Sequence, residues 1–298
     1  MRTRVVVLTA LTLCAAFFAQ DQDAAAENPQ NSGPLPVLEI ADDFYVIQGE
    51  GSNVSVYVTD EGLILVDDKF DRTYDQLQAA LRSFTDQPVK YVINTHPHGD
   101  HSGGNASMPD STVLVAHENA AAAMVRNNQP GLPEMTYADQ MTINLGGKEA
   151  IVYHFGPCHT DGDSFVYFPA VRVLSSGDCF NTGNGRGENT TGSPTFAFYI
   201  DYNTGGSFAG REKVGDSALG LNFDTVVPGH GPVTDREGFT RWRAQIASIR
   251  WRVTQMLRDN KTKEEIVGVL ESDEYGWQEG GRASTNSIDG MIDELTPE

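Results

Sequence analysis

Apolar residues along this chain recur at two spacings, and the switches between them mark out its elements. Alternating β-branched runs predict strands at 53–58 (NVSVYV) and Leu63–Val66, joined into a hairpin by the turn signal Thr59-Asp60-Glu61-Gly62. Val89–Thr95, Glu149–Phe155, the run beginning at Val173, and Phe223–Val227 also read as strands. Steps of three and four at Tyr74, Leu77, Leu81 and Phe84 predict an amphipathic helix over Asp71–Phe84, and an Ala-rich helix follows His117 over Glu118–Val125. The same steps at Phe239, Trp242, Ile246, Ile249, Val253 and Met256 predict a long C-terminal helix, opened by a capping box of Thr234 and Glu237. Strands and helices thus alternate in two halves, which is the pattern of an α/β domain.

The N-terminus breaks that pattern. Arg2 and Arg4 precede the uncharged stretch Val5–Ala19, too short for a comfortable membrane span, and Ala24-Ala25-Ala26 offers a small-residue cleavage site. Residues 1–26 therefore read as a signal peptide, 27–36 as a disordered lead-in rich in Pro, Asn and Gly, and 37–298 as one domain that includes the C-terminal helices. The expected location is the periplasm or the exterior. No later segment looks transmembrane; a lipid anchor at Cys14 is the alternative, disfavoured by the bulk of Leu13.

Charge narrows the partners. The chain carries a formal net charge of −20, and loss of Arg2, Arg4, Asp21 and Asp23 with the signal leaves that value unchanged. Such a surface repels a phosphate backbone, so nucleic acid is not expected as a partner and a small molecule is. The arginines at 241, 243, 250, 252 and 258 of the long helix read as a salt-bridged face rather than a binding stripe.

The chemistry gathers at strand ends. His96-Pro97-His98-Gly99-Asp100-His101 directly follows the run Val89–Thr95, and imidazole with carboxylate is a metal-ligand set. A buried polar cluster without partners would be costly, so packing does not explain it. Of the chain's 7 histidines, His159 and His230 also stand in Gly/Pro-rich turns after strand-like runs, and Asp178 ends the run from Val173. Together they are more side chains than one tetrahedral ion takes, and enough for two. His117, at a helix start, and His154, in a strand pattern, read as structural. Cys158 and Cys179 adjoin His159 and Asp178: Cys179 is an alternative metal ligand, and a Cys158–Cys179 disulfide is a third reading.

In order and spacing, HPHGDH, GPCHT, SSGDC and PGHGP resemble the motifs of the metallo-β-lactamase-fold hydrolases over roughly residues 37–235. The resemblance implies a four-layer αβ/βα sandwich with metals at one edge. It implies that His96, His98 and His159 hold a first divalent ion, and Asp100, His101 and His230 a second. Asp178 would bridge them, and Asp67 would support the His-rich loop. Zinc fits such ligands best, with iron or manganese as alternatives. The implied activity is hydrolysis of an acyl bond by a metal-held hydroxide, with Asp100 handling the proton. A β-lactam leads as substrate; lactonase and thioester hydrolase are alternatives, and a non-hydrolytic metal-binding or redox accessory protein is the reading from another class. The loops 126–137 and 181–194 flank ligand turns and are expected to shape the pocket, with Arg186 a candidate partner for a substrate carboxylate.

Overall fold

A computed structural model describes residues 33–182, 199–270 and 282–296. The predicted signal peptide, residues 27–32 of the lead-in and most of the loop 181–194, with Arg186, lie outside them. Strands β1 (Val37–Ala41), β2 (Phe44–Ile47), β3 (Val54–Thr59), β4 (Gly62–Val66), β5 (Val89–Ile93), β6 (Val113–His117) and β7 (Met135–Tyr137) form a first sheet in chain order. It is antiparallel from β1 to β4 and parallel from β4 to β7. The parallel crossovers carry the helices α1 (Tyr74–Arg82), α2 (Gly99–Ser102) and α3 (Glu118–Arg126). The second sheet runs β13-β12-β11-β10-β9-β8, with β8 (Gln140–Leu145), β9 (Lys148–Tyr153), β10 (Phe165–Phe168), β11 (Val173–Ser175), β12 (Thr225–Val227) and β13 (Thr234–Asp235). Helices α4 (Phe208–Leu219), α5 (Arg236–Arg258), α6 (Lys263–Leu270) and α7 (Arg282–Leu295) complete it. None of the described helices is long and apolar enough to cross a membrane.

Residue alternation explains the layers. In β3 and β4, Val54, Val56, Leu63 and Leu65 pack with Leu77 and Leu81 of α1, whereas Tyr57, Ile64 and Val66 face the other way. There they meet Val152, Val166, Phe168 and Val173 of the second sheet. Strands buried on both faces need apolar residues at every step, and β4 reads Gly-Leu-Ile-Leu-Val with all five positions buried. A third core joins Phe165 and Leu174 to Phe208, Val214, Phe239, Trp242, Ile246 and Ile249 of α4 and α5. Three cores between four layers are the αβ/βα sandwich that the motifs imply.

The expected hairpin forms with Thr59 paired to Gly62, and all the apolar positions named for the long helix are buried. Its basic face is ion-paired at three of the five arginines named: Arg241 to Glu237 (2.6 Å), Arg243 to Asp216 (2.6 Å) and Arg250 to Glu212.

Several boundaries differ from the sequence reading. The helix expected over 71–84 begins as a 3₁₀ turn at Asp71–Thr73 and becomes α1 only at Tyr74. Thr234 pairs with Val226 as part of β13, so the cap of α5 passes to Asp235, whose carboxylate accepts from Gly238 N at 2.8 Å. Residues 34–36 belong to the domain rather than the lead-in: Leu35 is buried against the α1 core, and Pro36 O accepts from Gln48 N.

Trp242 is 1% exposed and packs edge-on against Phe180. Trp242→Ala should cost roughly 3–5 kcal/mol of stability, measured by urea denaturation. A loss under about 1 kcal/mol would show that this core collapses around the void.

Candidate metal centre

Each ligand-type side chain stands where a strand stops. His96 and His98 leave β5, Asp100 and His101 lie in the one-turn α2, and His159 lies between β9 and β10. Asp178 occupies a 3₁₀ turn, Gly177–Cys179, after β11, and His230 follows β12. Turns from both sheets converge. His96, His98 and His159 form one group whose potential ligand atoms lie within 4.8 Å of one another; Asp100, His101 and His230 form another, and His96, His101 and Asp178 a third.

Hydrogen bonds behind the cluster aim its nitrogens. Asp67, held at φ +64° after β4, accepts from Thr95 N at 2.7 Å, from Thr95 Oγ1 at 2.8 Å and from His101 Nδ1 at 2.7 Å. Thr95 Oγ1, its proton given to Asp67, accepts from His96 Nδ1 at 3.1 Å. His159 Nδ1 donates to Tyr199 O at 2.8 Å, and His98 Nε2 to Asp201 Oδ2 at 3.0 Å. Tautomers follow from these acceptors. In neutral rings, the lone pairs of His96 Nε2, His98 Nδ1, His101 Nε2 and His159 Nε2 all point inward.

That arrangement calls for a cation. His98 Nδ1 and His159 Nε2 are 3.0 Å apart, and His101 Nε2 and His230 Nε2 3.3 Å. A tetrahedral ion with bonds of ~2.0–2.1 Å separates its ligand atoms by about 3.3 Å. His96 Nε2 and Asp178 Oδ1 are buried without a hydrogen-bond partner. Asp178 spans the groups: Oδ1 lies 3.2 Å from His101 Nε2 and 3.3 Å from His230 Nε2, while Oδ2 lies 3.8 Å from His159 Nε2. The residues present fit divalent metal.

The two halves differ electrostatically. Burial, then neighbouring imidazoles, pushes His96 well down, and burial with His98 brings His159 to about 3. Burial also opposes charge on His101 and His230, but Asp178 and its fellow carboxylates overcome it, raising His101 well up and His230 to about 9. Asp100 and Asp178 are held low, because their histidine partners outweigh burial.

Close packing sharpens the geometry. Gly229 lies so close to Asp178 that a Cβ there would run into the carboxylate. Gly177, at φ +51°, lies against Thr95 in the same way.

Several supports had no signal in the sequence. Asp201 and Asn181 (whose Oδ1 accepts from His230 N at 2.8 Å) act across long chain separations, and the buried Arg211 donates to Tyr199 O at 2.9 Å. Asp163 was closer to hand: it accepts from Thr160 N at 2.9 Å and from His159 N, and so shapes the His159 turn. His117 and His154 stack on each other with centroids 3.8 Å apart, and each bonds a backbone carbonyl, in keeping with structural roles. Cys179 as a metal ligand is corrected: its sulfur is joined to Cys158, with the Cα atoms 5.6 Å apart, so the disulfide reading holds instead.

Residues 47–230, more than half of the chain, match the model of the metallo-beta-lactamase superfamily. The chain belongs to that superfamily. A 2,4-dinitroanisole O-demethylase subunit alpha from Nocardioides sp. (strain JS1661) is 30% identical over 57% of this chain, and the match spans 50% of that protein. The metallo-beta-lactamase type 2 of Bacillus cereus is 25% identical over 62% of this chain and 69% of its own length. A metallo-beta-lactamase from Pontibacter korlensis superposes with a TM-score of 0.61 at 22% identity, covering 72% of this chain and 99% of that one. At that identity the structural likeness shows the fold alone. This superfamily member carries the His and Asp groups of a metal-binding fold, among relatives that are mostly hydrolases.

With a folded value of about 9 against an unfolded one near ~6.5, His230 stabilises the metal-free protein fully below pH ~6.5. That contribution fades as pH rises through about 9. The urea midpoint of metal-free protein should therefore fall between pH ~6.5 and ~9; a midpoint that rises across the window contradicts the charge pattern.

Proposed function

We propose that the chain is an exported hydrolase of acyl bonds in small molecules, working with two divalent ions, zinc in preference to iron or manganese. One observation carries this reading: four imidazole nitrogens and a carboxylate converge from both sheets on one spot, each imidazole fixed from behind. His96, His98 and His159 would hold the first ion and Asp100, His101 and His230 the second, with Asp178 between them. Bound there, the ions supply Lewis acidity for a carbonyl and bring the pKa of water towards neutrality.

The chain's own groups do the rest. Asp100 and His98 keep 26% and 25% of their side-chain surface open, so substrate reaches the cluster from their side. We assign Asp100 the transfer of a proton to the leaving group; without ions, His101 and His230 hold its carboxylate ionised. Asp201 keeps His98 in the tautomer that presents Nδ1. The disulfide supports export to an oxidising compartment, in line with the leader read at residues 1–26. A β-lactam is the first substrate to try, then a lactone and a thioester. The relative named for 2,4-dinitroanisole O-demethylation adds an aryl methyl ether to the panel.

Elemental analysis of purified protein should find two ions per chain, falling towards one in Asp178→Ala and staying at two in Cys179→Ser. Asp100→Asn should cut kcat on the best substrate by more than the ~10²–10⁴-fold expected for loss of an acid–base group alone, because ion affinity falls too. Metal-loaded protein that turns over nothing on the panel would instead favour a binding or redox accessory role.

A further inference from the structure

The segment joining β2 to β3 supplies no ligand, yet it is tied to both sides of the second metal group. Ser52 N donates to Asp100 O at 3.1 Å. One residue on, Asn53 N donates to Gly229 O at 2.7 Å, and Asn53 Nδ2 donates to Pro228 O at 2.9 Å and to Gly231 O at 2.8 Å. Both amide hydrogens of Asn53 are thus spent on carbonyls either side of His230. Gln48 Nε2 reaches Gly231 O as well, at 3.2 Å. Beneath the segment, the buried Lys69 ammonium donates to Glu50 O at 3.1 Å and to Ser52 O, so the segment itself is pinned.

This matters because the second group is assembled across a seam. Asp100 and His101 come from the first sheet and His230 from the second. Asp100 Oδ2 and His230 Nε2 stand 3.1 Å apart, a spacing that metal binding requires and that their mutual contact cannot guarantee once an ion separates them. Asn53 is nearly buried, holds the His230 turn by three hydrogen bonds, and is covalently next to the residue that holds the Asp100 backbone.

We infer that Asn53 is a positioning residue for the second metal site, setting the spacing of His230 from Asp100 without touching the ion. The inference rests on the two-ion assignment proposed above. It separates the sites: the first group, His96, His98 and His159, has no hydrogen bond to Asn53 among those described, so Asn53 acts on one ion and spares the other.

Metal-free wild type, Asn53→Ala and Gln48→Ala would be titrated with zinc against a chromophoric chelator, with thermal unfolding followed alongside. Asn53→Ala should keep the first affinity and weaken the second by ~10–100-fold, the usual effect of removing a group that orients a ligand. Gln48→Ala should weaken the second ion alone, by less. Wild-type affinity for both ions in Asn53→Ala overturns the inference, as does equal weakening of both in a folded variant. Should Asn53→Ala not fold, Gln48→Ala decides: a selective loss at the second ion supports the inference, and no such loss overturns it. A wild type that binds one zinc at saturation removes the two-ion reading and this inference together; two zinc ions with an unaffected Asn53→Ala remove only the inference.

Discussion

The carboxylate of Asp67 is the interaction on which the metal centre hangs. It sits where the parallel pair β4 and β5 ends, and it takes a backbone amide, a hydroxyl and an imidazole at once. A carboxylate can accept that many bonds without strain, and buried it must. Through Thr95 its influence passes to His96, so one acid fixes the direction of two rings. Its positive φ is the local cost of turning the chain sharply enough to aim it.

The side chains proposed as ligands stand out in the sequence because they are local. Three histidines and an aspartate within HPHGDH need no knowledge of distant chain, and His159, Asp178 and His230 each declare themselves by ending an apolar run in Gly or Pro. The hairpin and the buried stripe of α5 were legible for the same reason: their period is written in consecutive residues. Asp201 was not, since it meets His98 across 103 positions, and neither was Asn53, which meets Pro228 across 175. An isolated Asp or Asn has no spacing to betray it. Thr234 misled because a capping box and a two-residue edge strand share that stretch, and pairing with Val226 claimed it. Leu35 misled because a Pro-rich lead-in hides a single apolar anchor.

The sandwich explains why the centre lies where it does. Its two sheets are fused by an apolar core of Phe44, Tyr57, Val152, Val166 and Phe168, which leaves the strand ends as the natural place for a large polar cluster. A Ser55–Ser175 contact of 2.7 Å is a buried polar link across that seam, from β3, where Ser55 pairs with Val66 beside Asp67, to β11, which leads to Asp178. Rigid strands with turns at one edge hold side chains from distant chain positions to within tenths of an ångström, which loops alone do poorly.

The Cys158–Cys179 bond has a consequence of a different kind. Free thiolates are strong zinc ligands, and Cys158, Cys179 and the neighbouring Asp163 offer their ligand atoms within 4.8 Å of one another. Were the sulfurs unjoined, that trio would compete for any ion that His159 and Asp178, one residue away on each side, would hold. Joined, the sulfurs are withdrawn from the contest. The disulfide thus acts as a chemist's protecting group, keeping both sulfurs off any ion that the neighbouring His159 and Asp178 would take.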